Sequence, residues 1–282
     1  MTTTDAGRGM APASRTEATV ALPDGDVHVT VDGPRGAPTL LLIHGSGASG
    51  RSWEWVVPLL AEAHRVIRVD LLGHGRSAKP VDVSYEVADE ARRVAAVAER
   101  LGTGRVVVVG HSSGGIVATA LAEQRPDLVA AVALVDTGPS LRAYLDPPEG
   151  ALRPTRWPPS DDELRAAART AFATDDVPVP DVLVDDGRRM EPASMGAVIG
   201  ATTSYLEERP LPARLEPLGK PLLVIFGELD RRWAPASAAD YEVVPGATVA
   251  LLPGVGHTPI IEDPDRTAAV LRDFADAVER DG

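Results

Sequence analysis

The sequence predicts an α/β protein, a mostly parallel, doubly wound sheet interrupted late in the chain by an inserted helical lid. Three observations carry this. Short apolar runs bounded by Gly, Pro and Asp recur as TLLLI at 39–43, RVIRVD at 65–70, VVVV at 106–109, AVALVD at 131–136 and PLLVIF at 221–226. Continuous rather than alternating runs suit strands buried on both faces. Helical patterns separate them, notably VADEARRVAAVAERLG at 87–102 and GIVATALAEQRP at 115–126, and strand alternating with helix implies a parallel sheet wound by helices. From about 137 to 218 that rhythm breaks, and Pro147, Pro148, Pro154, Pro158, Pro159, Pro178 and Pro180 cluster between two helical candidates.

In chain order, residues 1–17 read as a disordered tail. TVAL at 19–22 and DVHVTVDG at 26–33 alternate in polarity and flank Pro23-Asp24-Gly25, residues that suit a tight turn between antiparallel strands. Within the insert, one helix is expected from Ser160, with Glu163 completing a capping box, and another from about Pro192 to Glu208. A closing helix over about 264–280 has Asp263 as N-cap and Pro264 at its first position, with Thr267, Leu271, Phe274 and Val278 on one face. The expected division is a tail at 1–17, a core at 18–136 and 219–282, and a lid at 137–218. No internal repeat is visible.

Bulk properties narrow the function. A chain of 282 residues, 44% of them hydrophobic, can bury roughly three quarters of its unfolded surface around one core. With no cysteine, disulfides, thiolate metal sites and a cysteine nucleophile are excluded together. A formal net charge of -13 argues against nucleic acid as partner, because binding phosphates relies on clustered Lys and Arg. The first residues lack a signal peptide's apolar stretch of about 7 to 15 residues, and no run approaches the roughly 20 of a membrane span. The expectation is a cytoplasmic protein with no membrane partner.

The chemistry is concentrated in Gly110-His111-Ser112-Ser113-Gly114, which follows the run VVVV and opens a helix. That strand-turn-helix context is the one a nucleophile elbow requires, and the flanking glycines clear space around a strained serine. Ser112 is the candidate nucleophile; Ser113 is in the wrong register. A serine hydroxyl needs a base touching it and a third group holding that base. The candidate base is His257, in the Gly-rich loop of VALLPGVGHTP. His28, His44, His64, His74 and His111 lie in strands or turns before Ser112 and read as structural or solvated. After PLLVIF, Gly227-Glu228-Leu229-Asp230 offers two carboxylates, of which Asp230 is favoured by its place in the loop. Asp136, ending AVALVD, is the alternative acid.

The order Ser112, Asp230, His257 is the order of the α/β-hydrolase superfamily, and the chain resembles that superfamily's serine-nucleophile branch from about residue 18 to 280. His44-Gly45-Ser46-Gly47 after TLLLI, the turn Asp70-Leu71-Leu72-Gly73-His74-Gly75-Arg76-Ser77, and Gly256-His257-Thr258-Pro259 leading to Glu262, Asp263 and Pro264 fit it as well. The resemblance implies the α/β-hydrolase fold, a mostly parallel eight-stranded sheet with a helical lid, and an oxyanion hole from the backbone N–H groups of Ser46 and Ser113. It implies cleavage of a carboxylic ester or lactone, with no cofactor and no metal, on a small-molecule substrate that is uncharged or weakly polar. Candidate pocket residues are His44, Gly45, Trp53 and Tyr205. Alternatives are a cofactor-free haloperoxidase or perhydrolase, from whose usual methionine Ser113 departs, a C–C bond hydrolase, and a non-catalytic ligand receptor on the same fold.

Overall fold

The structure, a computed structural model, describes residues 15–145 and 157–281. Most of the expected tail, and Pro147, Pro148 and Pro154 of the expected lid, lie outside the described residues. The first strand, β1 (Thr16–Leu22), begins inside the segment expected to be tail: Thr16 pairs with Val31 of β2 (Gly25–Asp32), and Arg15 Nε donates to Asp32 Oδ1 at 2.8 Å. Pairing with β2 extends the strand past its apolar residues, which polarity alone did not reveal.

β1 and β2 form the expected antiparallel hairpin. Then follow β3 (Thr39–Ile43), the short helix α1 (Val57–Leu60), β4 (Arg65–Val69), α2 (Val87–Arg100), β5 (Val106–His111), α3 (Ser113–Gln124) and β6 (Val129–Val135). Past the insert come β7 (Leu222–Gly227) and β8 (Thr248–Leu252). The eight strands form one sheet in the order β1-β2-β4-β3-β5-β6-β7-β8, parallel from β4 to β8. The runs read as doubly buried are so: Leu41, Ile43, Ile67, Val108, Leu134 and Phe226 face α2 and α3, while Leu40, Leu42, Val66, Val109, Ala133 and Ile225 face α1 and the closing helix. Arg68, the charged residue in β4, is buried by pairing with Asp32 at 2.8 Å and donating to Gly50 O.

Between β6 and β7 lie α4 (Asp161–Arg169), α5 (Asp181–Arg189), α6 (Pro192–Glu208) and α7 (Leu211–Leu215). Ser160 and Glu163 make the expected reciprocal capping box, and α6 has the expected bounds. The helix α5 was not read from the sequence, because Pro178 and Pro180 mark its approach as loop; Pro180 is in fact its N-cap. After β8 come α8 (Pro259–Glu262) and α9 (Pro264–Asp281), whose Thr267, Ala268, Leu271 and Ala275 are buried. Asp263 Oδ1 accepts from Arg266 N–H at 3.1 Å, the expected cap. Among the described residues no helix is long and apolar enough to cross a membrane.

Register prepares the site. Ile43 lies opposite Gly110, His111 opposite Val135, Val135 opposite Ile225, and Gly227 opposite Leu252. The loops leaving β3, β5, β6, β7 and β8 therefore emerge side by side at one edge. The winding reverses between β3 and β5, and ligands of open α/β sheets sit outside the carboxyl ends of the strands at such a reversal.

Candidate active site

Ser112 joins β5 directly to α3, with φ 52° and ψ -124°. For a residue with a side chain this backbone costs about 1–3 kcal/mol, and the neighbourhood holds it in place. Ser112 N–H donates to Val135 O at 2.9 Å, and Ser112 O accepts from Gly115 N–H at 2.9 Å and from Thr137 Oγ1 at 3.0 Å. The turn closes only because its neighbours lack side chains. A methyl on Gly110 would stand 2.4 Å from Gly114 O, and one on Gly114 would stand 2.4 Å from Ile43 O.

His257, after β8, brings Nε2 to 3.0 Å from Ser112 Oγ and Nδ1 to 2.9 Å from Asp230 Oδ2. Nδ1–H donates to the carboxylate, leaving the Nε2 lone pair toward the hydroxyl. Its loop is clamped on both sides. His257 N–H donates to Ala171 O at 2.8 Å, and His111 Nε2 donates to His257 O at 2.8 Å. Glu262 accepts from the N–H groups of Gly256, Thr258 and Ala173. Burial pushes His111 down to about 3, so it acts there as a neutral donor.

Asp230 is buried in the loop after β7, where Oδ1 accepts from Arg232 N–H at 2.7 Å and Trp233 N–H at 3.2 Å. Burial alone would raise its pKa, but the facing His257 and these donors outweigh it and hold the carboxyl below its ordinary value. Asp136, the alternative acid, is fully buried just past β6. Its Oδ1 accepts from Gly227 N–H at 2.9 Å, and burial and then the neighbouring Asp230 push its pKa well up. His257 Nδ1 is hydrogen-bonded to Asp230, the residue the sequence favoured, and Asp136 stands behind it. Asp136, Asp230 and His257 are the one group of metal-ligand spacing among the described residues; the Asp230–His257 hydrogen bond already engages two of its three members.

The turn after β3 carries Ser46, whose N–H donates to Ser113 Oγ at 2.7 Å and whose Oγ donates to the same atom at 2.8 Å. Ser113 N–H opens α3, where helix geometry leaves it no intrahelical acceptor. The Ser113 hydroxyl thus satisfies the Ser46 N–H, a contact that spacing could not disclose. Beside these two serines is an apolar cavity of about 20 Å³ walled by Leu71, Val87, Val117 and Val198, room for about one water. Glu90 also lines it, pushed up to about 7 by burial against the pull of Arg93.

Of the expected pocket residues, Gly45 lies against the site, its missing Cβ position 3.1 Å from Ser112 Cβ. The other three are placed elsewhere. His44 is fully buried, with Nδ1 donating to Gly45 O at 2.8 Å and Nε2 accepting from Leu71 N–H at 3.1 Å, which ties the turn to the loop after β4. Trp53 is fully buried in the core between the sheet and α9. Tyr205 donates to Glu123 of α3 and lies under the Arg214 guanidinium at 3.7 Å, locking α6 to the body. Each was read as a pocket residue from position or residue type, which do not specify which way a side chain points.

A further link was not legible in sequence. Ser49 Oγ, in the turn after β3, donates to Asp186 Oδ2 of α5 at 2.6 Å, so this turn is bonded to the segment inserted between β6 and β7. Burial pushes the Asp186 carboxyl up to about 6.

Comparison with known proteins agrees with this architecture. A family model described as "Alpha/beta hydrolase family" matches residues 40–270. A pimeloyl-[acyl-carrier protein] methyl ester esterase of Edwardsiella ictaluri is 32% identical over 86% of this chain and 94% of its own. The crystal structure of a bacterial membrane phospholipase A is 27% identical, with a TM-score of 0.76 over 94% of this chain and 87% of that one. A 2-hydroxy-6-oxo-6-phenylhexa-2,4-dienoate hydrolase from Rhodococcus sp. strain RHA1 shares the fold at 22% identity, with a TM-score of 0.78 over 93% of this chain and 99% of that one.

Proposed function

The chain belongs to the alpha/beta hydrolase family, and from that premise we propose that it is a serine hydrolase cleaving carboxylic esters or lactones through an acyl-enzyme. The observation that carries the proposal is the unbroken line of hydrogen bonds from Ser112 Oγ through His257 to Asp230. Ser112 Oγ attacks the acyl carbonyl as its proton passes to His257 Nε2, and Asp230 holds the imidazole in the right tautomer and stabilises the imidazolium. His257 then gives the proton to the leaving alkoxide. Water, deprotonated by the same nitrogen, attacks the acyl-enzyme and releases the acid.

The oxyanion is received by the N–H groups of Ser46 and Ser113, each such donor worth on the order of 3 kcal/mol in transition-state stabilisation. For Ser46 this means that the oxyanion replaces Ser113 Oγ as acceptor. The cavity beside the two serines has a mostly apolar wall, with Glu90 and His74 also lining it, which supports an uncharged acyl group on that side. Its small volume supports a lid role for the segment 137–218, whose α6 supplies Val198 to the wall. The named activities of two relatives, a methyl ester esterase 32% identical and a phospholipase A 27% identical, favour ester cleavage over C–C cleavage or perhydrolysis.

The test is labelling by a fluorophosphonate probe together with turnover of a p-nitrophenyl ester panel. Ser112→Ala is expected to abolish labelling and lower turnover by on the order of 10⁴-fold or more, and Asp230→Asn by about 10⁴-fold. Ser113→Ala keeps its N–H and retains turnover within about tenfold of wild type. A wild-type protein that neither labels nor hydrolyses any ester would falsify the reading in favour of a non-catalytic receptor.

A further inference from the structure

Behind Asp230 sits a second carboxyl group that this mechanism does not use. Asp136 has φ 43°, a conformation uncommon for a residue with a side chain, and it is fully buried. One oxygen, Oδ1, accepts from Gly227 N–H, while Oδ2 meets no donor among the described residues. Potential ligand atoms of Asp136, Asp230 and His257 all lie within 4.8 Å of one another.

Two carboxylates this close and this far from water cannot both be ionised, so the pair holds a proton. Its position follows from the partners. Both oxygens of Asp230 already receive N–H donors, from Arg232 and Trp233 on one side and His257 on the other; a proton on either would face a donor. Asp136 Oδ2 is the oxygen without one. The other ionisable groups around the pair are His257, neutral His111, Arg232 and Glu262, and none offers Asp136 Oδ2 a donor. The opposite pKa directions of the two groups, Asp136 up and Asp230 down, agree with this placement.

We infer that Asp136 is a neutral carboxylic acid that donates its Oδ2–H to Asp230, a positioning residue that aims Asp230 at His257 Nδ1 and draws negative charge away from it. Asp230 then presents less negative charge to His257 than a lone carboxylate would, and the pH profile of labelling reads that difference. Asp136 is also an acid in reserve: once Asp230 is neutralised, the repulsion between the two carboxylates is gone and only burial favours the proton on Asp136. The influence on turnover rests on the hydrolase reading above; the position of the proton does not.

The proton is read without turnover by infrared spectroscopy at about pH 8.5, where Glu90 and Asp186 have ionised. A carboxylic-acid carbonyl band is expected in wild type and in Glu90→Gln, and its loss in Asp136→Asn. No such band overturns the proposal. Asp136→Asn keeps an acceptor for Gly227 and an N–H toward Asp230, so its fluorophosphonate labelling is expected within about threefold of wild type with the acid limb unmoved. In Asp136→Ala the limb moves up by about half a pH unit or more; an unmoved limb assigns Asp136 a merely structural part. Should that variant not fold, the combination of Asp136→Asn with Asp230→Asn carries the test. It is expected to lose about tenfold or more beyond Asp230→Asn alone, and simple additivity overturns the reserve role. A band in a wild-type protein that never labels would sink the hydrolase reading while supporting the proton's position.

Discussion

Gly114→Ala tests whether the elbow is built as described. The new methyl would stand 2.4 Å from Ile43 O and 2.5 Å from His44 O, where ordinary contact begins at 3.4 Å. The obstacles are backbone atoms at the end of β3 and cannot rotate away, so α3 and the turn that follows β3 must separate by about 1 Å. Overpacking of this kind costs up to about 3 kcal/mol. In a chain of 282 residues that lowers the melting temperature by up to about 5 °C. The same displacement parts Ser112 from the Ser46 N–H, and a misplacement of about 1 Å costs about 10²-fold in turnover. Melting followed by circular dichroism and hydrolysis of p-nitrophenyl butyrate read both effects. The control is Gly200→Ala in α6, where an added methyl meets nothing within 4 Å; better helix propensity then stabilises by up to about 1 kcal/mol. A Gly114→Ala variant that melts and turns over like wild type would refute the account of the elbow.

Trp53→Ala is expected to lower stability by about 3–5 kcal/mol in denaturant unfolding with KM unchanged, since the ring is fully buried in the core; a raised KM at unchanged stability would return it to the substrate pocket. Asp186, raised by burial to about 6 from 3.8, binds its proton more tightly folded than unfolded. Its contribution is therefore greatest below about pH 4 and is lost as pH rises through about 6, a span of roughly 3 kcal/mol. Asp186→Asn should flatten this part of the melting-temperature profile, and a profile that overlays wild type would remove Asp186 as its source.

The candidate nucleophile was legible in sequence because an elbow is local. A strand, a glycine-flanked serine and a helix occupy one contiguous segment, and steric necessity ties residue type to backbone shape there. The doubly buried strands were legible for the same reason, since burial on both faces demands apolar residues at every position. The capping box at Ser160 and the cap at Asp263 follow likewise from neighbouring residues. The order of Ser112, Asp230 and His257 along the chain added what local pattern could not, by pointing to a known family. The helix α5 was lost because its prolines serve equally as loop and as N-cap.

What only the tertiary structure decided are relations between segments far apart in sequence. That Asp136 stands behind Asp230 depends on the lateral register of β6 and β7. That His44 faces the loop after β4, Trp53 the core and Tyr205 Glu123 depends on side-chain direction, which residue type does not specify. The Ser113 hydroxyl meets Ser46, and Ser49 meets Asp186, only when β3, α3 and α5 are assembled. The sequence by itself determined which reactive groups the protein owns; packing determined their distances and partners, with His257 set between Ser112 and Asp230 and Ser113 bonded to Ser46, because hydrogen bonds and charge interactions act only across the few ångströms that folding closes.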